Sequence, residues 1–231
     1  MLRITELKPP LKVVSIVEDT YEKAMKSSYL AIENGADVIE QRADWQKNAR
    51  DGIRVVEDLD FPTIFTCMPE QEGGKFRGCK NDRWEILGEA ATCSTVSLEH
   101  KYVPDNVIND IRSYSEVILM YHTDRMLTLS ETIELVKEME PKADIVKIVP
   151  TANSYLDLTT WRQNTKWMKE NMKKPYISLA MGSEGKPSRF ETFDYDGAII
   201  TFCCRDETLR ARPEQPTLAE MTEYFERKGY R

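Results

Sequence analysis

Lys147 stands in Asp144-Ile145-Val146-Lys147-Ile148-Val149-Pro150, inside an apolar, β-branched run that reads as a buried strand. Lysine is rarely buried unless it is paired or used. Desolvation disfavours the ammonium form, so such a lysine can present a free amine near neutral pH. A neutral amine in a pocket condenses with a ketone to form a Schiff base. The competing reading is a structural lysine paired with a carboxylate such as Glu40 or Glu99, and on the strand alone the two stand level.

Other chemistry-bearing residues fall at the ends of predicted strands. Glu40 and Arg42 are two apart in Glu40-Gln41-Arg42, so they share one face of a strand. A structural ion pair between them is the alternative. Glu72 precedes Gly73-Gly74, whose tight turn could hold a carboxylate over a pocket. By itself it reads better as an ordinary turn glutamate. His122 follows directly on a strand ending at Tyr121, where a proton shuttle would be useful. His100, the other histidine, sits just after a strand as well, and position does not choose between them. Met181-Gly182-Ser183-Glu184-Gly185 leads to Arg189, a pattern that can hold an anion or be a mobile loop with a solvated arginine. The segment 205–215, with Arg205, Arg210 and Arg212, reads as a lid or a charged surface loop.

Together these residues supply a ketone-reactive amine, a proton shuttle, a carboxylate to orient it and cations for an acidic substrate. That set suits loss of water beside a carbonyl through an iminium. The cation acidifies the neighbouring C–H, a base removes the proton, and the enamine expels hydroxide. No metal or other cofactor is called for.

The elements that must position them alternate along the chain. Strands are expected at 13–17, 38–42, 63–67, 95–99, 117–121, 145–149, 176–180 and 198–202. Helices are expected at 21–34, 48–59, 82–91, 104–114, 130–139, 155–170 and 217–228, with the stretch 181–196 giving the weakest helical signal. Eight strands with intervening helices in 231 residues predict a (β/α)8 TIM barrel, with 1–231 as a single domain. An open doubly wound sheet is the runner-up, but no Gly-x-Gly-x-x-Gly follows the first strand.

Composition bounds the rest. Apolar residues make up 41% of the chain, enough for a sizeable core. A net charge of −7 argues against nucleic acid and anionic membranes as partners. No apolar run reaches spanning length and Met1 to Lys8 lacks a secretory stretch, so a cytoplasmic protein is expected. The five cysteines (Cys67, Cys79, Cys93, Cys203, Cys204) match no zinc or redox spacing and read as reduced, mostly buried hydrophobes.

Five blocks carry a family resemblance over nearly the whole chain: Gly35 to Asp44, Glu72-Gly73-Gly74-Lys75-Phe76, Tyr121-His122, Ala143 to Ile148, and Met181 to Arg189. In order and spacing they resemble type I 3-dehydroquinate dehydratase, the Schiff-base enzyme of the shikimate pathway. The resemblance implies a (β/α)8 barrel, a homodimer, and conversion of 3-dehydroquinate to 3-dehydroshikimate and water. It implies that Lys147 forms the Schiff base, His122 is base and then acid, and Glu72 orients His122. Arg189 and Gln215 would hold the substrate carboxylate, and Glu40 and Arg42 would meet the ring hydroxyls.

Three departures stand out. The family's arginine four residues before the Glu-Gly-Gly glutamate is Met68 here. Its late Ser-Ala-Pro-Gly-Gln loop reads Ala211-Arg212-Pro213-Glu214-Gln215, and Thr123-Asp124 follows His122 where Asp-Phe is common. Lys75, Arg77 and Arg212 are the nearby cations that could compensate. A Schiff-base lyase or aldolase for another small acidic polyol, and a catalytically silent metabolite-binding barrel, are the alternatives.

Overall fold

The computed structural model describes residues 2–230; Met1 and Arg231, which the single-domain expectation included, lie outside the described residues. Eight parallel strands form one sheet: β1 (Leu11–Ile16), β2 (Val38–Arg42), β3 (Thr63–Thr66), β4 (Thr95–Glu99), β5 (Val117–His122), β6 (Ile145–Val149), β7 (Tyr176–Ser178) and β8 (Ile200–Cys203). The sheet runs β7-β6-β5-β4-β3-β2-β1-β8, so the last strand returns to pair with the first. Helices α1 (Tyr21–Glu33), α2 (Asp51–Asp58), α3 (Lys80–Ala90), α4 (Asp105–Arg112), α5 (Leu129–Met139), α6 (Tyr155–Asn171), α7 (Ser188–Glu191) and α8 (Leu218–Lys228) follow the strands in turn. This is the (β/α)8 barrel.

The ring closes at a narrow seam. Tyr176 of β7 bridges Ala198, with its N–H donating to the Gly197 carbonyl at 3.0 Å and its carbonyl accepting from Ile199 N–H at 3.1 Å.

Strand periodicity explains how the barrel is filled. Val13, Val38, Ile64, Ile118, Ile145, Ile177 and Ile200 face inward and pack together as an apolar floor. Ile4 belongs to the same cluster; its N–H donates to Glu116 Oε2 at 2.7 Å, which ties the N-terminal segment across the bottom of the barrel. The residues two positions further along each strand share that inward face. They are Ser15, Glu40, Thr66, Met120, Lys147, Leu179 and Phe202. The floor is therefore apolar and the layer above it mixes four polar residues with three apolar ones, which is why several strands look apolar but interrupted. The alternate residues, such as Val14, Ile39, Phe65, Val96, Leu119 and Val146, face the helices and are buried there.

Helix ends follow ordinary local rules. Thr128 and Thr217 open α5 and α8 with reciprocal capping boxes through Glu131 and Glu220. The weak helical signal in 181–196 corresponds to α7, only four residues long and preceded by Pro187. The five cysteines are all free; Cys67, Cys203 and Cys204 are buried, Cys93 is half-buried, and Cys79 departs from the expectation by being exposed at the cap of α3.

Candidate active site

The mouth of the barrel holds a narrow cavity that opens to solvent at its rim. Into it project Glu40, Arg42, His122, Lys147, Arg189 and Gln215, six of the seven residues predicted from sequence to carry the chemistry. Glu72, the seventh, stands behind His122 in an adjoining cleft that shares His122, Met181 and Arg212 with the cavity. His100 is elsewhere. It lies in an outer cleft with Tyr121 and Glu138, its Nε2 3.3 Å from Glu138 Oε2, so of the two histidines it is His122 that lines the cavity.

Lys147 comes from the middle of β6 and is 7% exposed. Its Nζ makes no hydrogen bond or ion pair among the described residues and lies 3.8 Å from the centre of the Phe202 ring. Burial pushes its pKa down from 10.5 to about 8, opposed by the Glu40 carboxylate and reinforced by Arg42, Arg189 and Arg212. The paired-lysine reading fails on this geometry. Glu99 is committed to Arg83, and Glu40 accepts from Ser15 Oγ at 2.5 Å and Thr66 Oγ1 at 2.9 Å.

His122 is the last residue of β5 rather than the first beyond it. Burial, then the positive charges of Lys147, Arg212 and Arg42, hold its pKa well below 6.5, so the ring is neutral at neutral pH. Its Nδ1 is 3.3 Å from Glu72 Oε2, close enough to pair but not aligned as a hydrogen bond. Small rotations of either side chain would make it one. Glu72 ends a 3-10 turn, Glu70–Glu72, that Gly73 terminates in the left-handed conformation at φ 74°. Gly74 passes so close to Met68 that a Cβ there would lie 2.0 Å from the Met68 carbonyl oxygen. Only glycine lets this turn fold back and deliver Glu72 to His122.

Glu40 and Arg42 share the inward face, as expected, but do not pair with each other. Arg42 grips Asp44 with both ends of its fork, Nε to Oδ1 at 2.9 Å and Nη2 to Oδ2 at 2.8 Å. Arg189, on α7, is 3% exposed, and its guanidinium has no hydrogen-bond or ion-pair partner among the described residues. Burial lowers its pKa, yet a guanidinium remains charged at neutral pH. Gln215 is more occupied than expected. Its Oε1 accepts from Ala211 N–H at 2.9 Å and Arg212 N–H at 3.3 Å, and its Nε2 donates to Ser15 Oγ at 3.0 Å. An amide nitrogen has two donors, so one is left for a ligand.

The three compensating cations separate cleanly. Arg212 lines the cavity. Arg77 is exposed and paired with Glu70 at 2.7 Å, and Lys75 has its Nζ 3.3 Å from the centre of the Trp45 ring. Neither of these lines the cavity, because the turn at Gly73-Gly74 carries them away from it.

Sequence reasoning missed Ser15, Thr66, Asp44 and Phe202. A readable signal existed for Ser15, a polar residue interrupting Leu11–Ile16 just as Lys147 interrupts Ile145–Val149. Its partner was not readable, since that depends on the β1–β2 register that sets Ser15 beside Glu40.

With Arg42 paired to Asp44, the cavity carries Lys147, Arg189 and Arg212 against Glu40, a surplus of positive charge that favours an anionic ligand. No group of three or more His, Cys, Asp or Glu side chains among the described residues is disposed to hold a metal ion. No described helix is long and apolar enough to cross a membrane.

Fold and cavity define a (β/α)8-barrel protein with a desolvated lysine amine facing an anion-attracting mouth. The chain belongs to the type I 3-dehydroquinase family, whose model matches residues 13–229. It is 33% identical over 224 residues to the 3-dehydroquinate dehydratase of Desulfotalea psychrophila, covering 93% of this chain and 96% of that protein. Among solved structures, the 3-dehydroquinate dehydratase of Aquifex aeolicus VF5 aligns with a TM-score of 0.75 at 26% identity, over 96% of this chain and 99% of that one. The enzyme of Geobacillus kaustophilus HTA426 aligns with a TM-score of 0.88 at 18% identity, over 99% and 96% of the two chains, a likeness of fold.

Proposed function

We propose that the protein is a 3-dehydroquinate dehydratase acting through a Schiff base on Lys147, in the shikimate pathway. The observation that carries this reading is the unpaired, desolvated Lys147 amine in a cavity shared with a neutral His122. Family membership supplies the substrate.

The amine adds to the substrate ketone and the carbinolamine loses water to give an iminium. The iminium draws electron density from the adjacent C–H bond, and neutral His122 takes the proton. The resulting enamine expels the β-hydroxyl, to which the His122 imidazolium returns the proton, releasing water. Hydrolysis of the conjugated iminium consumes one water, frees 3-dehydroshikimate and restores Lys147. The net change is loss of one water. Glu72 orients His122 and stabilises the imidazolium while it holds the proton. Arg189 and the remaining donor of Gln215 hold the substrate carboxylate, and Glu40 and Arg42 meet ring hydroxyls. The same family reading supports a cytoplasmic homodimer.

Borohydride reduction in the presence of 3-dehydroquinate tests the reading, since it converts an iminium to a stable secondary amine. Mass spectrometry should find the adduct on Lys147. Turnover with no adduct, or an adduct on a different lysine, would remove the Schiff-base assignment.

A further inference from the structure

Arg212 is the cavity cation with no assigned task. It is half-buried at the rim, on the segment between β8 and α8, and reaches across the mouth to the β3 side. There Nη2 donates to the Glu72 carbonyl at 3.0 Å and lies 3.9 Å from Met68 Sδ. Neither partner is a carboxylate, so the charge of the guanidinium is not neutralised by what it touches. A guanidinium has five donors, and these contacts involve one nitrogen. Burial and the neighbouring Arg42 charge lower its pKa, opposed at a distance by the Glu214, Asp44 and Glu72 carboxylates, none of which it touches.

The surroundings are shaped for this side chain. A Cβ at Gly73 would stand 2.9 Å from Arg212 Nη2, so the glycine turn leaves room for the guanidinium as well as placing Glu72. Met68, inward-facing and 4% exposed, is an apolar shelf that offers no competing donor. Behind Arg212, the Gln215 amide braces the loop by accepting from Arg212 N–H and donating to Ser15. Arg189 enters the same cavity from α7. Two guanidinium groups therefore approach one ligand from different elements.

We propose, on the dehydratase reading, that Arg212 is a specificity-determining residue that binds the hydroxyl-bearing part of the substrate while Arg189 takes the carboxylate. A small ring acid without hydroxyls would engage Arg189 and Lys147 but leave Arg212 unused. Because Arg212 also donates to the Glu72 backbone, substrate bound to it fastens the 205–215 loop against the turn that orients His122.

The test compares wild type, Arg212→Ala, and Arg212→Ala carrying Met68→Arg. KM and kcat are measured for 3-dehydroquinate. Half-saturating concentrations for borohydride trapping on Lys147 are measured for 3-dehydroquinate and for 3-oxocyclohexane-1-carboxylate, which has the ketone and carboxylate but no hydroxyls. Loss of a charge-assisted contact should raise KM and the dehydroquinate trapping concentration roughly ten- to a hundredfold, with kcat changing less. Trapping of the hydroxyl-free acid should be unchanged, which also shows that the variant is folded with its amine intact. Met68→Arg, supplying a guanidinium from the β3 side, should recover part of the loss. An unchanged KM in Arg212→Ala, or an equal loss for both ligands, overturns the assignment. A wild type that traps the ring acid but never turns over dehydroquinate overturns the dehydratase reading instead.

Discussion

Burial moves Lys147 and His122 in the same direction but leaves them titrating in separate pH ranges. The Lys147 ammonium loses its proton at about 8, and the His122 imidazolium well below 6.5. At pH 7 about a tenth of Lys147 is free amine, and His122 is almost wholly neutral. On the proposed mechanism both groups must be neutral to start the reaction, so kcat/KM should rise with pH, nearly tenfold per unit between pH 6 and 7, and level off above about 8. A plateau already reached at pH 6 would show that some other group sets the rate. Replacing His122 with alanine should cost about 10²–10⁴ in kcat while borohydride still traps ligand on Lys147. His100→Ala is the control: with His100 beside Glu138 in a separate outer cleft, kcat should hardly move.

Among the elements, the β3–α3 connection is the one whose local geometry the site depends on most. Gly74→Ala would bring a Cβ within 2.0 Å of the Met68 carbonyl, a contact that backbone cannot accept without moving. The turn would open and Glu72 would leave His122. We expect kcat to fall at least tenfold, as for loss of a positioned group, with destabilisation of about 1–3 kcal/mol. Denaturant unfolding and steady-state rates check both; an active, fully stable variant would show that the turn tolerates the shift. Elements of this kind mark where legibility stopped. The strands β2, β4 and β6 fall at the residues assigned to them from sequence; β6 is a β-branched run broken only by Lys147, and β2 and β4 each open on β-branched residues. The remaining boundaries shift by a few residues, and α7 was faint because four residues cannot express a helical period. In the site, Lys147 was legible because its charge interrupts a strand. Glu72 looked like surface, since only the fold of two glycines brings it to His122. Arg77 looked available until the same turn carried it outward to Glu70. Single-strand features were readable; pairings across strands and the aim of loops were not, because they depend on tertiary register.

At the scale of the molecule, the unpaired lysine sets activity against stability. Its folded pKa of about 8 lies below the unfolded value of 10.5. Between those values the unfolded chain holds more protons, so wild-type stability should rise with pH across that window. Below it, keeping the ammonium buried costs the fold up to about 3 kcal/mol. Lys147→Met, similar in length and uncharged, should therefore abolish turnover yet raise the melting temperature at pH 7, with the advantage shrinking toward pH 10. Thermal unfolding at several pH values decides this, and a less stable variant at pH 7 would mean that Lys147 is held by attraction to Glu40 rather than confined at a cost.

The narrow seam at Tyr176 bears on the same cavity from another direction. Lys147, His122, Glu40 and Arg42 stand on strands that pair continuously from β6 back to β2. Leu179, just past β7, and Phe202, on β8, line the wall beside Lys147, above the bridge between Tyr176 and Ala198. Backbone pairing is thus continuous where these groups are mounted and, among the described residues, reduced to one bridge beside Leu179 and Phe202. A seam of that kind would let this wall yield to a ligand's shape while the spacing of amine and imidazole stays fixed.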